Sequence, residues 1–116
     1  MDPKAAGPVK EIRRNPEATV VLLSGDVDLH HAPALHSALL DVSEARPKRL
    51  IVDLTDVPYM DSSGVGTLVY ILRRVNAYKG KMALVGMNNR VRSVFEITKL
   101  DQFFTIRDTE AEAMQA

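Results

Sequence analysis

The sequence predicts a single small α/β domain built on a mixed, mostly parallel β-sheet. Three observations lead there. Short β-branched or apolar runs at residues 19–23, 50–54 and 82–85 alternate with stretches whose apolar residues recur at helical spacing. Strands separated by helices imply parallel pairing through crossover connections. The first two strands have only Asn15-Pro16-Glu17-Ala18 between them, a turn suited to an antiparallel hairpin.

Residues 1–8 hold two prolines, a glycine and two alanines and read as a frayed tail, with the domain proper over residues 9–116. Residues 9–14 form an edge strand and residues 19–23 a buried one, ended by Ser24-Gly25-Asp26. After the loop at residues 27–32, Pro33 suits a first helical turn, where its missing N–H is not needed. Leu35, Ala38, Leu39 and Val42 then give one apolar stripe, closed by Arg46-Pro47. Residues 50–54 are the next core strand. Ser62-Ser63-Gly64 opens a second helix with Val65, Leu68, Val69, Leu72 and Val75 inward, Ile71 and Tyr78 widening that face, and Gly80 as its stop. Residues 82–85 form a strand, Asn88 or Asn89 caps a helix carrying Val91, Val94, Phe95 and Thr98, and residues 103–106 form a last strand. Thr109 with Glu112 matches a capping box and predicts a terminal helix. The expected order is β-β-α-β-α-β-α-β-α.

Composition narrows the function. The 116 residues fit one domain, and 46% hydrophobic with 26% charged residues suffices for a core without metal or disulfide staples. Fifteen basic residues balance fifteen acidic ones, which argues against nucleic-acid binding. With no cysteine, disulfides, thiolate metal sites and a cysteine nucleophile are excluded. The opening Met1-Asp2-Pro3-Lys4 lacks the features of a secretory signal, and the longest apolar run is too short to span a bilayer. The expectation is a cytoplasmic protein, monomeric, without cofactor, membrane or nucleic-acid partner.

One stretch is more specific: Val52-Asp53-Leu54-Thr55-Asp56-Val57-Pro58-Tyr59-Met60-Asp61-Ser62-Ser63-Gly64-Val65-Gly66. A strand ends, a loop follows, and a helix begins with two serines and two glycines. A helix N-terminus carries unpaired N–H groups and a partial positive charge, so a hydroxyl there can cap the helix or carry a phosphoryl group. The amides of Ser63, Gly64 and Val65 would be available to such a phosphate, leaving the domain folded while a docked partner is lost. Ser63 reads as a plain cap. Gly64 and Gly66 lack the third glycine and the Lys-Ser or Lys-Thr of a nucleotide-binding loop, so close helix packing is their expected role. His30, His31 and His36 do not form a metal set, since adjacent histidines point apart and no carboxylate completes a geometry. Ser62 lies in no Gly-x-Ser-x-Gly elbow and is not followed by the Asp and His of a hydrolase. No catalytic residue is expected. Arg73, Arg74, Arg90, Arg92 and Lys99 read as solvated helix faces, and Met60, Met82 and Met87 as core filler.

Met60-Asp61-Ser62-Ser63-Gly64-Val65-Gly66 resembles the phosphorylation-site signature of STAS-domain anti-sigma factor antagonists. Leu23-Ser24-Gly25-Asp26-Val27-Asp28 resembles that family's turn after its second strand, and Ile51-Val52-Asp53-Leu54 sits at the matching distance before the serine. The resemblance runs from about Val9 to about Ala113 and implies a STAS-like fold with its helices packed mainly on one face of the sheet. It further implies that Ser62 is phosphorylated by a partner, an anti-sigma factor that is itself a serine kinase of the GHKL type. The unphosphorylated form would bind that kinase and free a sigma factor, and a serine phosphatase would reset the switch. Asp28, Asp61, Ser63 and Gly64 would line the site, Asp61 with a local hydrogen-bonding or phosphotransfer-orienting role. An alternative within the same fold is an unmodified docking subunit of a lipid-transport ATPase or a sensory-signalling complex.

Overall fold

A computed structural model describes residues 7–116. Five strands lie in sequence order across one sheet. The edge strand β1 (Val9–Arg14) pairs antiparallel with β2 (Thr19–Ser24). The strands β3 (Arg49–Asp56), β4 (Lys81–Val85) and β5 (Thr105–Arg107) then continue the sheet in parallel. The crossovers are α1 (Ala32–Glu44), α2 (Ser62–Ala77) and α3 (Asn89–Ile97), and α4 (Glu110–Gln115) ends the chain. This is the expected order and the expected mixed, mostly parallel sheet.

Alternation along the strands sorts the core into two layers. Val21, Leu23, Leu50, Val52, Leu54, Met82 and Leu84 face one side, where Leu35, Leu39 and Val42 of α1, Leu68, Ile71 and Val75 of α2, and Val91 and Phe95 of α3 cover them. Val20, Ile51, Ala83 and Val85 face the other side, with Ala113 of α4 packed against them. Three helices thus lie on one face and only the short α4 on the other. Met60, Met82 and Met87 are all buried, as expected.

Three boundaries differ from expectation, and one open choice is settled. Residues 1–6 of the expected tail lie outside the described residues, but Gly7 and Pro8 do not fray. Pro8 is buried, and its C=O accepts from the Ser24 N–H at 2.8 Å, which extends the hairpin. The left-handed residue that ends α2 is Lys79 (φ 67°), one place before Gly80. Of the two candidate caps of α3, Asn88 serves, its side chain accepting from the Val91 N–H at 2.8 Å. The last strand starts two residues late. Lys99 turns left-handed (φ 62°) and a 3-10 turn at Leu100–Gln102 follows, which leaves Phe103 exposed and Phe104 buried against Phe95. The capping box at Thr109 and Glu112 is present as expected.

Candidate functional site

The site forms where the chain leaves two neighbouring parallel strands. Beyond β2 and β3 the two loops stay paired. The Gly25 N–H donates to the Asp56 C=O at 3.0 Å, Val27 N–H to Tyr59 C=O at 2.9 Å, and Asp61 N–H to Val27 C=O at 3.2 Å. Val27 and Met60 make an isolated parallel bridge, and both are buried. Parallel pairing therefore continues past the sheet and carries residues 25–29 up beside the start of α2.

Asp61 is the joint. It is the N-cap of α2, in an extended conformation, and one carboxylate oxygen accepts from the Ser63 N–H at 2.8 Å and the Gly64 N–H at 3.4 Å. The other oxygen accepts from the Leu29 N–H at 3.1 Å. One carboxylate thus satisfies two of the free amides of the helix start, places negative charge against its positive end, and ties down the neighbouring loop. The Val65 N–H bonds the Asp61 C=O at 3.1 Å.

Ser62 is the first helical residue and is exposed. The capping expected of Ser63 belongs to Asp61. Ser63 is half-buried and contributes its backbone, donating to Asp61 and accepting at its C=O from the Thr67 hydroxyl at 3.1 Å. The amides of Ser63, Gly64 and Val65, expected to be open to a phosphate, are already engaged by Asp61. A phosphate on Ser62 would find those three amides occupied.

Gly64 forms the floor of the site. A Cβ there would lie 2.7 Å from Val27 Cγ1, 2.8 Å from Met60 Cγ and 2.8 Å from the Val27 carbonyl oxygen. Only a glycine lets α2 sit this close to the paired loops. The same expectation fails at Gly66, which is exposed and where a Cβ would meet nothing within 4 Å.

Asp28 joins the site indirectly, through its neighbour Leu29. Its carboxylate accepts from the His31 N–H at 3.1 Å and lies 2.7 Å from His31 Nδ1, ahead of α1. The hydrogen bond from His31 holds the Asp28 carboxyl below the usual carboxylate range. His30 and His31 lie edge to face, while His36 packs against Tyr70. Among the described residues no group of three or more His, Asp or Glu side chains could hold a metal, and no helix is long and apolar enough to cross a membrane.

Two exposed residues on the paired loops escaped the sequence reading. Leu29 is 74% exposed and Tyr59 41% exposed, an apolar pair on the paired loops. Leu29 carries a signal in hindsight: it is the one apolar side chain in the polar run Asp28-Leu29-His30-His31. Among the described residues, a cleft of about 420 Å³ lined by Ser43, Glu44, Arg46, Arg74, Ala77 and Tyr78 lies near the C-terminal end of α2. Around Ser62 the molecule offers loops and a helix end, the geometry of a docking surface.

A mixed five-stranded sheet with three helices on one face, and paired loops beside an exposed serine at a helix start, defines a small α/β domain. The STAS domain model matches residues 9–113, and the chain belongs to the STAS-domain family. Proteins similar to it include anti-sigma factor antagonists. The anti-sigma-B factor antagonist of Listeria monocytogenes is 32% identical over 92 residues, covering 79% of this chain and 81% of that protein. An anti-sigma factor antagonist from Mycobacterium paratuberculosis has a TM-score of 0.83 at 27% identity, with 90% of this chain and 89% of that one covered. The anti-sigma factor antagonist SpoIIAA of Bacillus is similar in both its forms. The TM-score is 0.68 at 25% identity for the unphosphorylated form, covering 90% of this chain and 94% of that one. It is 0.70 at 24% for the phosphorylated form, covering 90% and 96%.

Proposed function

We propose that this chain is a phosphorylation-controlled binding switch acting in the cytoplasm. Unphosphorylated at Ser62, it binds an anti-sigma factor that is a serine kinase of the GHKL type, and a sigma factor goes free. The kinase transfers a phosphoryl group to Ser62. The hydroxyl oxygen attacks the γ-phosphorus of a nucleoside triphosphate, a new P–O bond forms as the bond to the departing diphosphate breaks, and the hydroxyl proton passes to a base on the kinase. The chain supplies the accepting oxygen and its position. A serine phosphatase removes the group and resets the switch.

The observation that carries this reading is the exposure of Ser62 beside a fully engaged Asp61. A phosphate adds about −1.5 to −2 charges. With the amides of Ser63, Gly64 and Val65 occupied, the dianion stays on the docking surface, where a returning partner must desolvate it and the kinase's nucleotide phosphates repel it. A hundredfold loss of affinity corresponds to about 2.7 kcal/mol, within reach of those two effects. Asp61 acts as a positioning residue for Ser62, and Asp28 with His31 shapes the loop that carries Leu29. A relative whose structure is known in phosphorylated and unphosphorylated forms supports the same reading.

The test is phosphate mapping after incubation with ATP and the anti-sigma factor kinase of the same genome. Wild type takes up one phosphate at Ser62, and Ser62→Ala takes up none. Phosphate on Ser62→Ala, or wild-type phosphate mapped to Ser63, overturns the assignment.

A further inference from the structure

Gly66 is the residue of α2 that the fold does not account for. A glycine inside a helix is less favourable than any other residue except proline, because it surrenders the most backbone freedom. Gly64 is accounted for by the atoms its Cβ would strike. Gly66 has no such neighbour within 4 Å, and it is not among the positive-φ glycines, which are Gly7, Gly25 and Gly86. It is exposed in the second turn of a sixteen-residue helix, where alanine would fit and would suit the isolated domain better.

Its position suggests what the bare backbone is for. Gly66 follows Ser62 by four residues, one turn along the helix and about 6 Å of rise. Residues four apart share a face. Ser62, Gly66 and Arg73 all lie on the exposed side of α2, opposite the buried Val65, Leu68, Ile71 and Val75. A kinase that aligns a nucleotide's γ-phosphoryl group with the Ser62 oxygen has to cover the first turn, and its surface continues onto the second. Leu29 is fixed at the rim of the same surface by the bond from its N–H to Asp61 and directs an apolar side chain to solvent.

We propose that Gly66 is the point at which the backbone of the anti-sigma factor kinase packs directly against α2, so that its missing side chain is a requirement of the complex. The proposal rests on the functional reading above and adds a specificity-determining residue to it. A partner atom can approach the helix backbone there more closely than at any position bearing a Cβ. A methyl group at Gly66 would hold the two surfaces apart, and a larger side chain would also displace the kinase from Ser62.

The experiment compares Gly66→Ala, Gly66→Leu and a control, Asn76→Ala, near the other end of α2. Thermal melts and affinity for the kinase of the same genome are measured on the full chain. Gly66→Ala should raise Tm by a few degrees, as a glycine-to-alanine change in a helix does, while binding weakens about tenfold. Gly66→Leu should weaken binding about a hundredfold with its circular dichroism spectrum unchanged. Asn76→Ala should keep wild-type affinity. Wild-type affinity in both Gly66 variants overturns the proposal. A lowered Tm for Gly66→Ala also overturns it, because the fold would then be what needs the glycine. Failure of the wild-type chain to bind the kinase or to accept phosphate at Ser62 is a different result. It removes the functional reading and this inference with it.

Discussion

At its first turn α2 is closed by a side chain from the loop before it, and at its last turn by its own backbone. The Asp61 carboxylate caps the start and simultaneously holds Leu29, so three segments meet there. At the far end the Gly80 N–H returns to the Val75 C=O at 2.9 Å and the Lys79 N–H to the Asn76 C=O at 3.0 Å, a Schellman closure around left-handed Lys79. The Tyr78 hydroxyl donates to the Pro47 C=O at 2.8 Å, and burial pushes its pKa up. The contrast separates stability from function. The C-terminal end closes through its own backbone, whereas the N-terminal end engages the Ser63 and Gly64 amides with one carboxylate and leaves Ser62 exposed.

The largest effect expected from a single substitution falls at the crowded end. Gly64→Ala forces a Cβ into three atoms already within 2.8 Å, one of them a backbone oxygen, and should cost about 1–3 kcal/mol in a urea melt. It should also weaken partner binding, because α2 and the Leu29 loop shift apart. Unchanged stability would show that the two loops yield easily and would break the contrast. A smaller effect of opposite sign is expected at the other end. Lys79→Gly relieves a left-handed lysine and should stabilise the fold by about 0.5–1 kcal/mol, with affinity for the kinase unaltered. An altered affinity would mean that the C-terminal end also belongs to the docking surface.

Much of this architecture was legible in the chain because hydrophobic period and β-branching act locally. The stripe Leu35, Leu39, Val42 and the run from Thr19 to Leu23 each encode their own element. What escaped depends on single-residue choices among near-equivalent neighbours. Asp61-Ser62-Ser63 places three good capping residues in a row, and only the paired loops decide that Asp61 takes the position. Lys79 precedes Gly80, and either could turn left-handed. The helix takes Lys79, where the cation also lies at the negative end of the helix dipole. Pro8 reads as tail by composition, yet one hydrogen bond to Ser24 fixes it. The difference between Gly64 and Gly66 cannot be read from sequence at all, since it consists of which atoms lie within reach of an absent side chain.

The most direct measurement is a titration of the kinase with this chain in two states, unmodified and stoichiometrically phosphorylated at Ser62. An affinity about a hundredfold lower for the phosphorylated chain, with both states giving the same thermal melt, is the expected result. Equal affinities would contradict the account.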